Sequence, residues 1–366
     1  MQEVKSVKDA DVAGKRVLVR VDFNVPIKDG KVQDDLRIRA ALPTLDLLHK
    51  SGAAKILLLA HLGRPGGKAV EGLRMAQVEA RVRELTAVPF ELRENLRFDP
   101  REEENNESFS KELASLGDVF VNEAFADSHR PHASIVGVPK FLPSFAGLRF
   151  EEEVRRLSLA LTPPQGALAI IGGVKFETKV PLIKKLLGLY AEVLLGGALA
   201  NDLIKARGLP FGGSLVSDTP VPEDIASNER LLIPDDAIFA ESGSNAERSG
   251  RVVDIRANES IIDIGPATSK LWAQMISKVP FVLWNGPMGI YEQGYRDGTD
   301  VLAAELVRSG VPAVVGGGDT AAAVSKVSFD PQKVFVSTGG GAMLQFLADG
   351  TLPAIEALKS SKSDLR

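Results

Sequence analysis

Residues 167–190 read ALAIIGGVKFETKVPLIKKLLGLY: a short apolar run, two glycines, then a longer amphipathic stretch. Phe176, Val180, Ile183, Leu187 and Tyr190 recur at helical spacing, while the run before the glycines has the length of a buried strand. The same grammar returns at EVLLGG (192–197), FVLWNGP (281–287), AVVGGGD (313–319) and VFVSTGGG (334–341), with Ala-, Leu- and Met-rich helical stretches at 319–328 and 341–349. Strands alternating with helices predict a parallel sheet covered on both faces. Right-handed crossovers then bring every strand's C-terminal end to one edge, where open α/β sheets bind ligands.

Working outward, the first half alternates as well, but its strands end in different chemistry. RVLVRVDFN (16–24), AKILLLAHLGR (54–64) and DVFVNEAFADSHR (118–130) run into Asp, Asn, His and Arg instead of glycine. The predicted fold is therefore α/β, with two doubly wound parallel-sheet domains whose ligand edges differ. The expected division is residues 1–150, a helix and hinge at 151–165, residues 166–350, and a tail at 351–366. The break TPPQG (162–166) follows a helical stretch Glu151–Leu161, and the tail helix LPAIEALKSS (352–361) is expected to return to the first domain. The acidic PREEENNES (100–108) reads as a solvated loop and helix start.

Composition narrows the function classes. The 366 residues carry 44 Lys and Arg against 48 Asp and Glu, a net charge of -4, which argues against general nucleic-acid binding. There is no cysteine, so disulfides, thiolate metal sites and cysteine nucleophiles are excluded. The N-terminal MQEVKSVKDADV is polar, and no run approaches a membrane span, so a cytoplasmic protein is expected.

A helix N-terminus offers unpaired N–H groups and partial positive charge, and glycine lets the backbone approach a phosphate closely. One strand–glycine–helix junction means little, but five on one edge predict phosphate or nucleotide binding. Asp319 follows a glycine run and begins a helix, so it suits an N-cap or a carboxylate on Mg²⁺, and the two are compatible. Lys175 and Lys179 are either solvated surface lysines or cations on a transferring phosphoryl group; Pro181 is expected in the first helical turn, keeping Lys179 near the edge. In the first domain Arg20, Asp22, Asn24, Arg37, His61, Arg64 and Arg130 gather at or near strand ends. Guanidinium forks there suit a ligand bearing phosphate and carboxylate. His61 could instead be a satisfied structural histidine, and His129 and His132 are expected to orient the loop around Arg130. No G-x-x-x-x-G-K-[ST] loop, protein-kinase motif set or strand-borne G-x-G-x-x-G is present.

At RVDFNVP (20–26), HLGRP (61–65), VNEAFADSHRPH (121–132), IIGGVKFETK (170–179), WNGPMGIYE (284–292), GGGDT (316–320) and STGGGA (337–342), the chain resembles the phosphoglycerate kinase family, from about Arg16 to Leu358. The resemblance implies 3-phosphoglycerate on the N-terminal domain and Mg²⁺-bound ATP or ADP on the C-terminal one, in a glycolytic, cytoplasmic monomer that closes about a hinge. It implies that Asp22, Phe23, Asn24, Arg37, His61, Leu62, Gly63, Arg64 and Arg130 line the substrate site. Lys179, Gly196, Gly197, Asn285, Glu292, Gly317, Gly318, Asp319 and Thr320 would line the nucleotide site, Asp319 taking the metal. Arg37, Lys175, Lys179 and the amides of Gly339, Gly340 and Gly341 would stabilise the phosphoryl group in flight.

Three positions depart from the family pattern. Gln165 stands where an arginine is usual before the GG-x-K strand, the stretch 89–98 is short, and Ile261 replaces a glycine expected beside the adenine. The substrate's carboxylate is already ionised at neutral pH, so no general base is expected. A nicotinamide-dependent dehydrogenase would need a dinucleotide fingerprint, which is missing. A non-catalytic phosphate-binding descendant of a kinase would have little reason to keep Lys179, Asp319, Arg37 and Arg64.

Overall fold

A computed structural model describes residues 4–174, 176–243 and 246–361. The chain divides into two compact units, residues 1–158 with 341–366, and residues 159–340.

In the first unit a five-stranded parallel sheet is built, in spatial order, from Glu91–Leu92, Lys55–Leu59, Arg16–Arg20, Val119–Asn122 and Ser144–Ala146. The chain starts in the middle, runs outward through two strands, then reverses to the other side. Alternation along the first strand divides its side chains between two layers. Val17, Val19, Val21, Phe23 and Val25 pack with Ile38 and Leu45 of the helix Leu36–Lys50 and with Val78 and Val82 of Ala76–Leu85. Leu18 and Phe120 face the other way, onto Phe109 and Leu113 of Glu107–Ala114.

The second unit repeats the winding with six parallel strands, in the order Leu231–Leu232, Glu192–Leu195, Leu168–Ile171, Val282–Asn285, Ala313–Gly316 and Val334–Val336. Trp284 pairs in register with Ile170 on one side and Val315 on the other. It is fully buried against Trp272 and Leu302 from the covering helices Pro266–Ile276 and Asp297–Ser309.

Several expectations are revised. A three-stranded antiparallel sheet, Glu247–Arg251 beside Asp236–Glu241 beside Glu259–Ile264, was not foreseen. Its edge strand reads ERSGR, with no apolar alternation to betray it. Ile261 is paired there opposite Phe239, its amide donating to Ser214 Oγ. The helix expected at 151–161 runs Leu148–Ala160, and the units divide inside it. The return to the first unit comes at Gly341, ahead of the expected 351, because the helix Gly340–Asp349 packs with that unit after its first residue. Within the acidic segment Glu102 is fully buried, not solvated: its carboxylate accepts from the Ser134 amide and hydroxyl. Among the described residues no helix is long and apolar enough to cross a membrane.

Candidate active site

In each sheet the two strands at the reversal of winding are neighbours, and α/β sheets hold ligands outside the carboxyl ends of such strands. In the first unit these are Arg16–Arg20 and Val119–Asn122. Since Val21, Phe23 and Val25 turn into the core, the alternate residues Asp22 and Asn24 are left for the opposite side. Asp22 grips Arg37, in the first turn of Leu36–Lys50, Nη1 lying 3.0 and 2.9 Å from its two oxygens. Burial, reinforced by the charge of Asp127, pushes the Asp22 carboxyl up to about 6 despite Arg37 and Arg20. Asn24 Oδ1 accepts from the Gly63 amide at 2.9 Å, tying the HLGRP turn to the first strand. Gly63 has φ +64, and its carbonyl accepts from Arg97 Nη1 at 3.0 Å.

Arg64 is exposed and Arg130 half-buried, and among the described residues neither has a carboxylate within salt-bridge distance. Both guanidiniums are therefore open to an external anion. Arg20 is different. It is fully buried and bonded to Ser134 Oγ at 2.9 Å and Asp127 Oδ2 at 3.2 Å, so it serves the framework under the edge and offers no contact to a ligand. Phe23 and Leu62 are buried in the core, which leaves only their backbone for a substrate. Sequence reasoning missed Arg97, Asp127, Glu102 and Ser134, which make up the rest of this framework. Arg97 Nη2 lies 3.6 Å from Asp127 Oδ1, and its Nε 3.3 Å from Glu103 Oε1. Burial works to raise the Asp127 carboxyl, but the guanidiniums of Arg20 and Arg97 more than offset it and help bring it down to about 2. The only sequence signal was a polar residue inside a short apolar turn, FAD (125–127), which does not point to an ion pair.

In the second unit the reversal lies between Leu168–Ile171 and Val282–Asn285, so the IIGG and WNGP turns are adjacent. A Cβ on Gly172 would fall 2.0 Å from the Pro287 carbonyl oxygen, and one on Gly286 would fall 2.4 Å from that of Gly172. Gly196 is crowded by Met288, and Gly197, at φ +61, by the backbone of Gly173. Close backbone packing accounts for Gly172, Gly286 and Gly197, and the Met288 side chain for Gly196, without any ligand. Gly317, Gly318 and Gly340 are another matter. No atom lies within 4 Å of a Cβ on Gly318 or Gly340, and Gly317, at φ +94, is the N-cap of Gly318–Ser325. The N-cap reading of Asp319 is thereby corrected: it is the second residue of that helix, in the electropositive first turn.

Burial raises the Asp319 carboxyl, and Glu292 raises it further, with Arg296 opposing. Thr320 is fully buried, and among the described residues its Oγ1 has no partner. Lys179 Nζ donates to Asn285 Oδ1 at 3.3 Å, and burial brings its ammonium down to about 8, still a cation at neutral pH. Its helix begins at Phe176, so Pro181 lies beyond the first turn expected for it. Glu292 is exposed on the short turn Tyr291–Gln293. Gly341 is the second residue of the helix Gly340–Asp349, with a would-be Cβ 3.5 Å from the His129 ring. Lys175 lies outside the described residues. Gln165 is exposed in the turn before Leu168–Ile171, at the opposite end of that strand from the glycines. Among the described residues no three metal-ligating side chains cluster, so a cation here would lean on one carboxylate and on ligand oxygens.

The family model for phosphoglycerate kinase matches residues 7–350. The chain is 41% identical to the phosphoglycerate kinase of Roseiflexus sp. (strain RS-1), over 98% of this chain and 99% of the relative, and 41% identical to that of Chloroflexus aggregans over the same shares. The solved phosphoglycerate kinase from Coxiella burnetii superposes with a TM-score of 0.83 at 36% identity, covering 98% of both chains. That from Pyrococcus horikoshii OT3 gives 0.80 at 26%, covering 97% of this chain and 98% of its own. With two sheets of like winding, one ended in arginines and the other in glycine-lined helix starts, the chain belongs to the phosphoglycerate kinase family, glycolytic enzymes that move a phosphoryl group reversibly between ATP and the carboxylate of 3-phosphoglycerate.

Proposed function

We propose that the first unit binds 3-phosphoglycerate, the second binds the nucleotide with Mg²⁺, and transfer follows hinge closure. Support for the first assignment comes from Arg64 and Arg130, which among the described residues lack carboxylate partners, together with the Asp22–Arg37 pair and Asn24. These groups match a small ligand with anionic ends and a hydroxyl, Asp22 accepting from the hydroxyl and the arginines gripping phosphate and carboxylate. The single observation that carries the second assignment is Lys179. It is a partly desolvated cation held on Asn285 at the reversal of the sheet, where an anion would find it under-solvated.

Asp319 fits a metal-bearing nucleotide, since its raised carboxyl wants a cation, and the Thr320 hydroxyl in the same turn, unpaired among the described residues, can meet a phosphate or metal-bound water. Bound there, Mg²⁺ would neutralise charge on the nucleotide phosphates. The free space around Gly318 and Gly340 supports phosphoryl oxygens meeting their amides, and the exposed Glu292 would bond the ribose. The acceptor carboxylate needs no base, so this chain's residues only orient two anions in line and hold Lys179 and Arg37 on the group in flight. An acyl phosphate hydrolyses readily, which is the chemical reason for closure and exclusion of water. The net charge of -4 suits a monomeric cytoplasmic enzyme that avoids nucleic acids and anionic membranes.

A coupled assay with ATP, Mg²⁺ and 3-phosphoglycerate tests the reading. Arg37→Ala and Lys179→Ala are each expected to lower kcat by at least about 100-fold, as loss of one transition-state donor does, with far less change in nucleotide Kd. Unchanged kcat at saturation with weakened binding alone would refute the assignment.

A further inference from the structure

His61 follows the strand Lys55–Leu59, with a ring that is 2% exposed. Its Nδ1 lies 3.0 Å from Arg20 Nη2 and 3.3 Å from Asp127 Oδ2. A guanidinium carries donors only, so across 3.0 Å the imidazole Nδ1 must accept. Arg20 cannot turn aside. It is fully buried, its Nε donates to Ser134 Oγ, Nη1 to the Val21 carbonyl, and Nη2 also reaches Asp127. A neutral imidazole has one proton to place, and with Nδ1 accepting it sits on Nε2, for which no partner is found among the described residues.

We propose that Arg20 is a positioning residue that fixes His61 as the neutral Nε2–H tautomer, so that the ring presents a single donor, not a charge, to the anionic substrate. The proposal rests on the reading that His61 touches 3-phosphoglycerate. The titratable groups around the ring are Arg20 on the first strand, Arg97 on the turn Leu96–Phe98, and Asp127 and His132 on the segment after Val119–Asn122, with Glu102 beyond Ser134. Burial above all, with the Arg20 and Arg97 charges adding to it, holds the imidazole down to about 3 against the pull of Asp127. The ring therefore stays neutral through the working pH range. Asp127 is the alternative partner. Were the Arg20 donor removed, Nδ1 could carry the proton and donate to Oδ2 instead.

The test is nitrogen NMR of the full-length protein labelled on its four histidines, His61 being assigned by its own substitution. The expected spectrum between pH 5.5 and 8 shows His61 with a bare Nδ1 and a protonated Nε2; an Nδ1–H tautomer or an imidazolium overturns the proposal. Adding 3-phosphoglycerate is expected to move the Nε2–H resonance. A correct tautomer that ignores the substrate would overturn the donor role and the substrate contact, leaving only Arg20's hold on the ring. In Arg20→Met the proton is expected to move to Nδ1, and an unchanged Nε2–H tautomer there refutes positioning by Arg20. Because that variant removes a fully buried ion-paired guanidinium and can fail to fold, a second comparison stands beside it. His61→Gln keeps an N–H near the Nε2 position and is expected to retain about tenfold more kcat/KM for 3-phosphoglycerate than His61→Ala, the worth of one hydrogen bond. Equal losses in the two refute a donor role.

Discussion

Glu123 shows how much a single side chain can decide without touching a ligand. It follows the strand Val119–Asn122, accepting from Thr44 Oγ1 at 2.6 Å and from the Arg149 and Phe150 amides at 3.0 and 3.3 Å. These amides open the helix Leu148–Ala160, whose first N–H groups have no partner within the helix, and Leu148 is met in turn by Thr44. Gly147 is glycine because a Cβ would strike the Glu123 carboxylate. Full burial raises the acid to about 7 in spite of its three donors. A folded value above the unfolded one means that the favourable contribution is complete below about 4.5 and is lost as pH rises through 7. The urea midpoint of the first unit is therefore expected to fall between pH 5 and 8, by the equivalent of roughly 3 kcal/mol at most. In Glu123→Gln the fall should be largely absent and the midpoint lower at pH 5, since the amide nitrogen must face a backbone N–H. A slope of equal size in both proteins would show that Glu123 does not titrate there. None of this was legible beforehand: NEAF (122–125) announces a polar strand end, but not that Asn122 folds back onto the Ala124 amide while Glu123 turns to cap a distant helix.

At the level of elements, the sequence disclosed the alternation of strand and helix and nearly every strand end, because glycine and charge punctuate them. It did not disclose what each glycine is for. In the second unit the identical letter serves two needs that only packing separates. Gly172 and Gly286 let two turns cross backbone to backbone, whereas Gly318 stands in open space at the start of a helix and has no positive φ to protect. Gly172→Ala should therefore lower the melting temperature of this unit strongly, since no neighbouring side chain can yield to the new methyl group. Gly318→Ala should fold as the wild type does, within about 0.5 kcal/mol, while raising the KM for ATP if its amide faces phosphate. Thermal unfolding read beside nucleotide kinetics separates the two. A stable Gly172→Ala, or an unstable Gly318→Ala, would reverse the assignment of roles. The antiparallel sheet around Phe239 lies beyond such reading for a plainer reason, since an edge strand with five polar or small residues has no hydrophobic period to detect.

For the molecule as a whole, the decisive fact is that one unit is continuous in sequence and the other is not. Residues 159–340 leave and re-enter nothing, and their core is built from that stretch alone. The first unit is incomplete until the last residues return to it. Leu352, Ile355 and Leu358 are at most 1% exposed, and the Ala354 amide donates to the Ser128 carbonyl at 3.1 Å, in the segment that carries Asp127 and Arg130. Three buried side chains of this size are worth about 2 kcal/mol each, so together they approach the whole stability margin of an ordinary domain. A chain ending at Gly350 is thus expected to lose the first unit selectively. Calorimetry should show one cooperative transition surviving, hydrogen exchange should find strand Leu168–Ile171 protected and strand Arg16–Arg20 open, and ATP binding should outlast 3-phosphoglycerate binding. Joint loss of both units would mean that they fold as one body; retention of both would mean that the tail helix only decorates a unit already complete without it.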